Sequence, residues 1–140
     1  MLSWLLAGLL ILTTAAWGGE ALYKINPGPL EVRIIDDISL RDPMQGREIR
    51  FRLLYPDGQG PFPVVVFSTG MFCLPQLYDR ITGHWVSHGY IVIEPNHPDS
   101  PNNERPPTTE DLEIIVEARL RDVSFALDSL EHIAERADIG

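Results

Sequence analysis

The chain offers three kinds of side chain able to do acyl or metal chemistry: serines, histidines and one cysteine. A serine nucleophile set on a sharp strand-to-helix turn has the pattern G-x-S-x-G. None of Ser3, Ser39, Ser68, Ser87, Ser100, Ser124 and Ser129 sits between glycines at that spacing. His84 and His88 lie four apart, a helical spacing that can bind a metal, but no third ligand is near and packing or capping is the plainer role. His97 stands in a polar loop after an apolar run, where a base or a structural ring are both open readings. Cys73 has no partner for a disulfide and no paired base, so it reads as a small buried apolar side chain. Ser68-Thr69-Gly70-Met71-Phe72 differs in kind, because a glycine there can take a backbone shape closed to other residues and leave N–H groups free. Such a turn at a sheet edge would bind negative charge.

The elements that must position these groups follow from hydrophobic periodicity. Val64 to Phe67 and Tyr90 to Ile93 are apolar runs of strand length, joined by a segment long enough for a helix, which is the crossover unit of a parallel sheet. The first of these strands is apolar throughout and reads as buried on both faces. Earlier in the chain, Glu31 to Ile38 suggests a strand and Asp42 to Gly46 a turn. Arg47 to Tyr55 alternates, with Ile49, Phe51 and Leu53 on one side and Glu48, Arg50 and Arg52 on the other, as in a half-solvated strand near an edge. The segment Gln76 to His88 predicts a helix that turns Leu77, Ile81 and Trp85 to the sheet and ends at Gly89. Pro95 to Pro107 must be a loop at the C-terminal end of a strand, where open α/β sheets bind ligands. Thr108 or Thr109 can cap a second helix whose apolar face is Leu112, Val116, Leu120, Val123, Leu127, Leu130 and Ala134. That crossover helix should deliver the chain to a further parallel strand beginning at Asp138-Ile139-Gly140.

The order of these pieces resembles a known family. Gly60-Pro61-Phe62-Pro63-Val64-Val65-Val66-Phe67-Ser68-x-Gly70, then His84-Trp85-Val86-Ser87-His88-Gly89-Tyr90-Ile91-Val92-Ile93, then Pro95-Asn96-His97, is similar to the N-terminal half of an α/β-hydrolase. The nearest branch is the secreted esterases similar to platelet-activating-factor acetylhydrolase and the predicted dienelactone hydrolases. Asp42-Pro43-x-x-Gly46-Arg47-Glu48-Ile49 and Asp122-Val123-Ser124-Phe125-Ala126-Leu127-Asp128 carry the same likeness. The resemblance implies an α/β fold with a mixed, mostly parallel sheet and crossover helices over residues 30–140, cut short of the nucleophile elbow. It implies a serine-dependent carboxylic-ester hydrolase, acting on small-molecule or lipid esters such as short-acyl phospholipids, without metal or organic cofactor. By the same likeness the Met71 backbone N–H, on the Gly70 loop, is one donor of the oxyanion hole, and the nucleophile, acid and base all lie past Gly140. Ser-His-Gly is commoner in the family where Thr69 stands here, a departure that touches local hydrogen bonding only. In the family the catalytic histidine follows the serine, which gives His97 a structural or rim role. Phe72, Leu74 and Pro75 could line an acyl pocket or belong to ordinary core packing.

Composition narrows the classes further. A formal charge of −9 and no Lys/Arg run argue against a nucleic-acid partner, and 44% hydrophobic residues suit a folded core. Residues 1–19 hold no charged side chain, and Leu5 to Leu12 reads as the apolar core of a cleaved export signal, without the usual basic start. An uncleaved membrane anchor is the alternative; the apolar run is short for a span, which needs ~20 residues. Residues 20–29, with Asn26-Pro27-Gly28-Pro29, form a rigid linker. Two rival functions stay open: a dienelactone or polyester hydrolase, and a non-catalytic truncated α/β module.

Overall fold

The computed structural model describes residues 26–104, 108–137 and 139. The expected export signal, and the linker as far as residue 25, lie outside the described residues, as do positions 138 and 140 of the expected further strand. Among the described residues no helix is long and apolar enough to cross a membrane.

Among the described residues four strands form one sheet. Strand β1 (Glu31–Asp42) turns through Pro43 to Gly46 into β2 (Arg47–Asp57), and Gly46 closes the hairpin at φ 67°, a conformation glycine takes without steric cost. Strands β3 (Val64–Val66) and β4 (Ile91–Pro95) follow, and the spatial order is β1-β2-β4-β3. Among the described residues only β3 and β4 pair in parallel; β1 with β2 and β2 with β4 are antiparallel. The sheet is therefore mixed and mostly antiparallel, which corrects the expectation of a mostly parallel one. The hairpin supplies one antiparallel pair, and β2 adds a second by lying beside β4 with the opposite direction.

The expected crossover between β3 and β4 is present. A 3-10 turn (Pro75–Tyr78) leads into helix α1 (Asp79–Ser87), which ends at Gly89, φ 93°. The second helix is capped as expected: the Thr108 N–H donates to Asp111 Oδ2 at 3.2 Å, a 3-10 turn (Thr109–Asp111) follows, and α2 runs Leu112–Asp128. It then breaks at Ser129 into α3 (Leu130–Ala137), so the predicted continuous helix is two.

Helix α1 covers one face of the sheet, where Leu54, Val86 and Val92 form a small buried cluster. Helices α2 and α3 cover the other, where Ile49, Phe51, Leu53 and Ile93 meet Ala126 and Ile133. Each of the large side chains among these contributes roughly 1.5–3 kcal/mol by leaving water. Strand β2 lies one strand in from the edge, and Glu48 and Arg50 on its polar side are exposed as expected; further along, under helices on both faces, Arg52 and Leu54 on that side are buried instead. Arg52 is tolerated there by bonds to Asp36 (2.9 Å), Asp79 (2.6 Å) and Glu94 (3.0 Å). Strand β3 is the opposite case: three residues long and outermost, it leaves Val64 exposed rather than buried on both faces.

Both predicted helix faces are rotated. In α1 the buried residues are Thr82, Val86 and Ser87; Leu77, in the preceding 3-10 turn, and Ile81 are exposed, while Trp85 packs half-buried against the Leu54 cluster as expected. In α2 they are Ile115, Asp122 and Ala126, and Leu112, Val116, Leu120 and Leu127 face outward.

Candidate active site

The site lies where β3 and β4 end on the same side of the sheet. From β3 the chain enters the Ser68–Phe72 loop; from β4 it enters the loop carrying His97, Asp99 and Ser100. Helix α2 passes beneath both and presents Arg119 and Asp122, one turn apart on its inner face.

These elements assemble an unbroken polar line. Ser68 Oγ lies 2.9 Å from His97 Nε2, and His97 Nδ1 lies 2.9 Å from Asp122 Oδ2. The carboxylate can only accept, so it assigns the proton of a neutral ring to Nδ1; Nε2 then accepts from the Ser68 hydroxyl. His97 and Asp122 are both buried, and Asp122 is further bonded by Arg47 and by Gln45 Nε2 at 3.0 Å. His97 is thus a fully enclosed, doubly bonded ring and not a residue of the rim.

A second cluster adjoins the first. Arg119 Nη1 donates to Asp99 Oδ1 (2.9 Å) and Oδ2 (3.0 Å), and its Nη2 donates to Ser68 Oγ (3.1 Å) and to the Thr69 carbonyl. Asp99 Oδ2 also accepts the Phe72 N–H at 2.8 Å. Burial pushes the Asp99 carboxyl up, but these bonds from Phe72 and Arg119 outweigh it and hold the group below its ordinary range. Glu94 on β4 is the contrast. Burial raises its carboxyl, Arg52 offsets only part of that, and Oε1 has no partner among the described residues.

The loop between the clusters departs from its expected geometry in one respect. Gly70 does not take the left-handed conformation; Phe72 does, at φ 57°. Gly70 is needed for close approach instead, because a Cβ there would stand 2.7 Å from the Tyr78 hydroxyl and 3.2 Å from Cys73 Sγ. The Gly70 N–H donates to that Tyr78 oxygen at 3.1 Å, and Phe72 donates to Asp99. Among the described residues no acceptor engages the Met71 N–H between them. Ser68, Met71, Val116, Arg119, Leu120, Val123 and Ser124 line an adjoining shallow cleft of about 380 Å³.

The remaining candidates sit apart from this centre. His84 and His88 pack against each other with ring centroids 4.5 Å apart, and among the described residues no group of three His, Cys, Asp or Glu is placed to hold a metal. Cys73 is half-buried beside Gly70. Phe72 is exposed, Leu74 half-buried and Pro75 buried.

The family model described as Chlorophyllase matches residues 26–120, two thirds of the chain. The chain belongs to the chlorophyllase family. That is a family of α/β-hydrolase type, so the superfamily implied by the sequence holds at this coarser level. No curated protein matches this chlorophyllase-family chain. Among solved structures it is similar to a CocE/NonD family hydrolase from Staphylococcus aureus, with 15% identity and a TM-score of 0.37 over 61% of this chain. The match spans 22% of that protein's length.

Arg119, Asp99 and Asp122 were not singled out from the sequence as functional residues. A signal for two of them existed: Arg119 and Asp122 share the stripe of Ile115 and Ala126, and charges in an otherwise apolar helical stripe call for buried partners.

Proposed function

We propose that this protein is a serine-dependent carboxylic-ester hydrolase. The observation that supports it most is the Met71 N–H, left without an acceptor between two N–H groups that the protein has engaged, beside an apolar cleft. An ester carbonyl entering that cleft would gain a fixed donor as its oxygen becomes negative, and such a donor contributes ~3–4 kcal/mol in comparable sites. The nucleophile in this reading comes from sequence after Gly140, as the resemblance implies. Its serine adds to the carbonyl and gives its proton to a histidine, which returns it to the alcohol as the ester C–O bond breaks. Water, deprotonated by the same histidine, then displaces the serine and releases the acid. Esters of short acyl chains, those of phospholipids included, are the proposed substrates; a dienelactone or polyester remains the nearer rival class.

A second reading rests on the Ser68–His97–Asp122 line. There Ser68 Oγ attacks, His97 Nε2 takes its proton and Asp122 holds Nδ1–H, with Met71 as the donor. Ser68 leaves β3 in a simple strand exit rather than an elbow, which favours the first reading.

A fluorophosphonate probe on the full-length protein, followed by mapping of the labelled peptide, tests both. Label on a serine C-terminal to Gly140 supports the first, and label on Ser68 replaces it with the second. No label, together with no turnover of 4-nitrophenyl acetate, leaves the non-catalytic module.

A further inference from the structure

The Ser68–Phe72 loop is gripped from both ends by one ion pair. Before Met71, the Thr69 carbonyl is bound by Arg119 Nη2; after it, the Phe72 N–H is bound by Asp99 Oδ2, and Arg119 and Asp99 are bound to each other through both carboxylate oxygens. Asp99 is fully buried and the Arg119 side chain is 11% exposed, so the pair is largely shielded from water. The backbone between these grips includes Phe72 in the left-handed region, a conformation that persists only where its surroundings over-determine it. A guanidinium suits the task because its planar fork donates in several directions at once, whereas a lysine ammonium is a point charge on a flexible stem.

We propose that Arg119 is a positioning residue for the oxyanion donor, fixing the Met71 N–H toward the cleft by holding the loop at Thr69 directly and at Phe72 through Asp99. The inference rests on the esterase reading and deepens it. Arg119 also lines the cleft, and the proposed role is its hold on the loop, which the Phe72 amide reports and a direct substrate contact would not move. Its effect is on where the Met71 hydrogen points, and displacement of a catalytic group by ~1 Å is enough to cost roughly 100-fold in rate.

The test uses the full-length protein and the variants Arg119→Lys and Arg119→Met. Arg119→Met leaves Asp99 without its cation and can fail to fold, so Arg119→Lys, which retains the charge without the fork, carries the decision. For Arg119→Lys the expected result is a kcat on 4-nitrophenyl acetate lowered by roughly 10- to 100-fold, with KM within about twofold. Hydrogen exchange of the Phe72 amide should quicken at least about tenfold while amides of β4 keep their protection. An active wild type whose Arg119→Lys variant keeps its kcat, or keeps the Phe72 exchange rate, overturns the inference alone. Faster exchange with unchanged kcat also overturns it, since the grip would then be structural only. A wild type that neither turns over the ester nor takes the fluorophosphonate label ends the esterase reading, and the inference with it.

Discussion

Helix α2 has two faces that invert the usual pattern. The inner one carries Ile115, Arg119, Asp122 and Ala126 and is buried; the outer one carries Val116, Leu120 and Leu127 and is exposed, Leu120 at 66%. Among the described residues, apolar burial alone would turn the helix the other way, at roughly 1.5–3 kcal/mol for each large side chain. What reverses it is the supply of partners. Asp122 meets His97, Gln45 and Arg47, and Arg119 meets Asp99, Ser68 and the Thr69 carbonyl, so each charge leaves water into a complete set of bonds. Taking out an ion without such bonds costs several kcal/mol. The orientation of a helix therefore answers to polar complementarity as well as to the sum of its apolar area.

The largest expected effect comes from breaking the inner face at its centre. Asp122→Ala removes the acceptor for the His97 Nδ1–H and for Arg47 together, and should lower the free energy of unfolding by ~3–5 kcal/mol in urea titration. A loss below ~1 kcal/mol would mean that the polar line is incidental to the packing. Next comes the apolar part of the same face: Ile115→Ala should cost ~2–4 kcal/mol, because the side chain is fully buried.

Acid and base limbs sharpen the comparison between paired and half-paired carboxylates. Asp99 is depressed in the folded state, so its contribution is present above the ordinary value of 3.8 and is lost as pH falls through the lower folded value. Glu94 is raised, so the folded state holds more protons than the unfolded one above the ordinary value of 4.5, and stability declines as pH rises from there through the raised value. Thermal melts from pH 2 to 7 should show Asp99→Asn shrinking the acid loss and Glu94→Gln removing the decline. A Glu94→Gln curve that parallels the wild type would show that Arg52 compensates the charge fully.

The smallest effect is expected on the outer face. Leu120→Ser should change stability by no more than ~0.5 kcal/mol, the usual range for exposed positions. A loss above ~1.5 kcal/mol in the full-length protein would show that this stripe is covered there.

The sequence by itself determined the elements and their order. Alternation in Arg47–Tyr55, the apolar runs at Val64 and Ile91, the stop at Gly89 and the cap at Thr108 are local signals, each a consequence of backbone geometry within a few residues. It also singled out the Gly70–Met71 loop, which supplies the anion donor in the proposed reading. Tertiary structure decided the rest. Strand direction within the sheet, the burial of Arg52 and the inward turn of Arg119 and Asp122 depend on groups 16 to 77 residues away in the chain. No local period encodes which distant partner will complete a charge. The Ser68–His97–Asp122 line was invisible for the same reason: its members come from a strand end, a loop and a helix, brought within 2.9 Å only when β3, β4 and α2 pack.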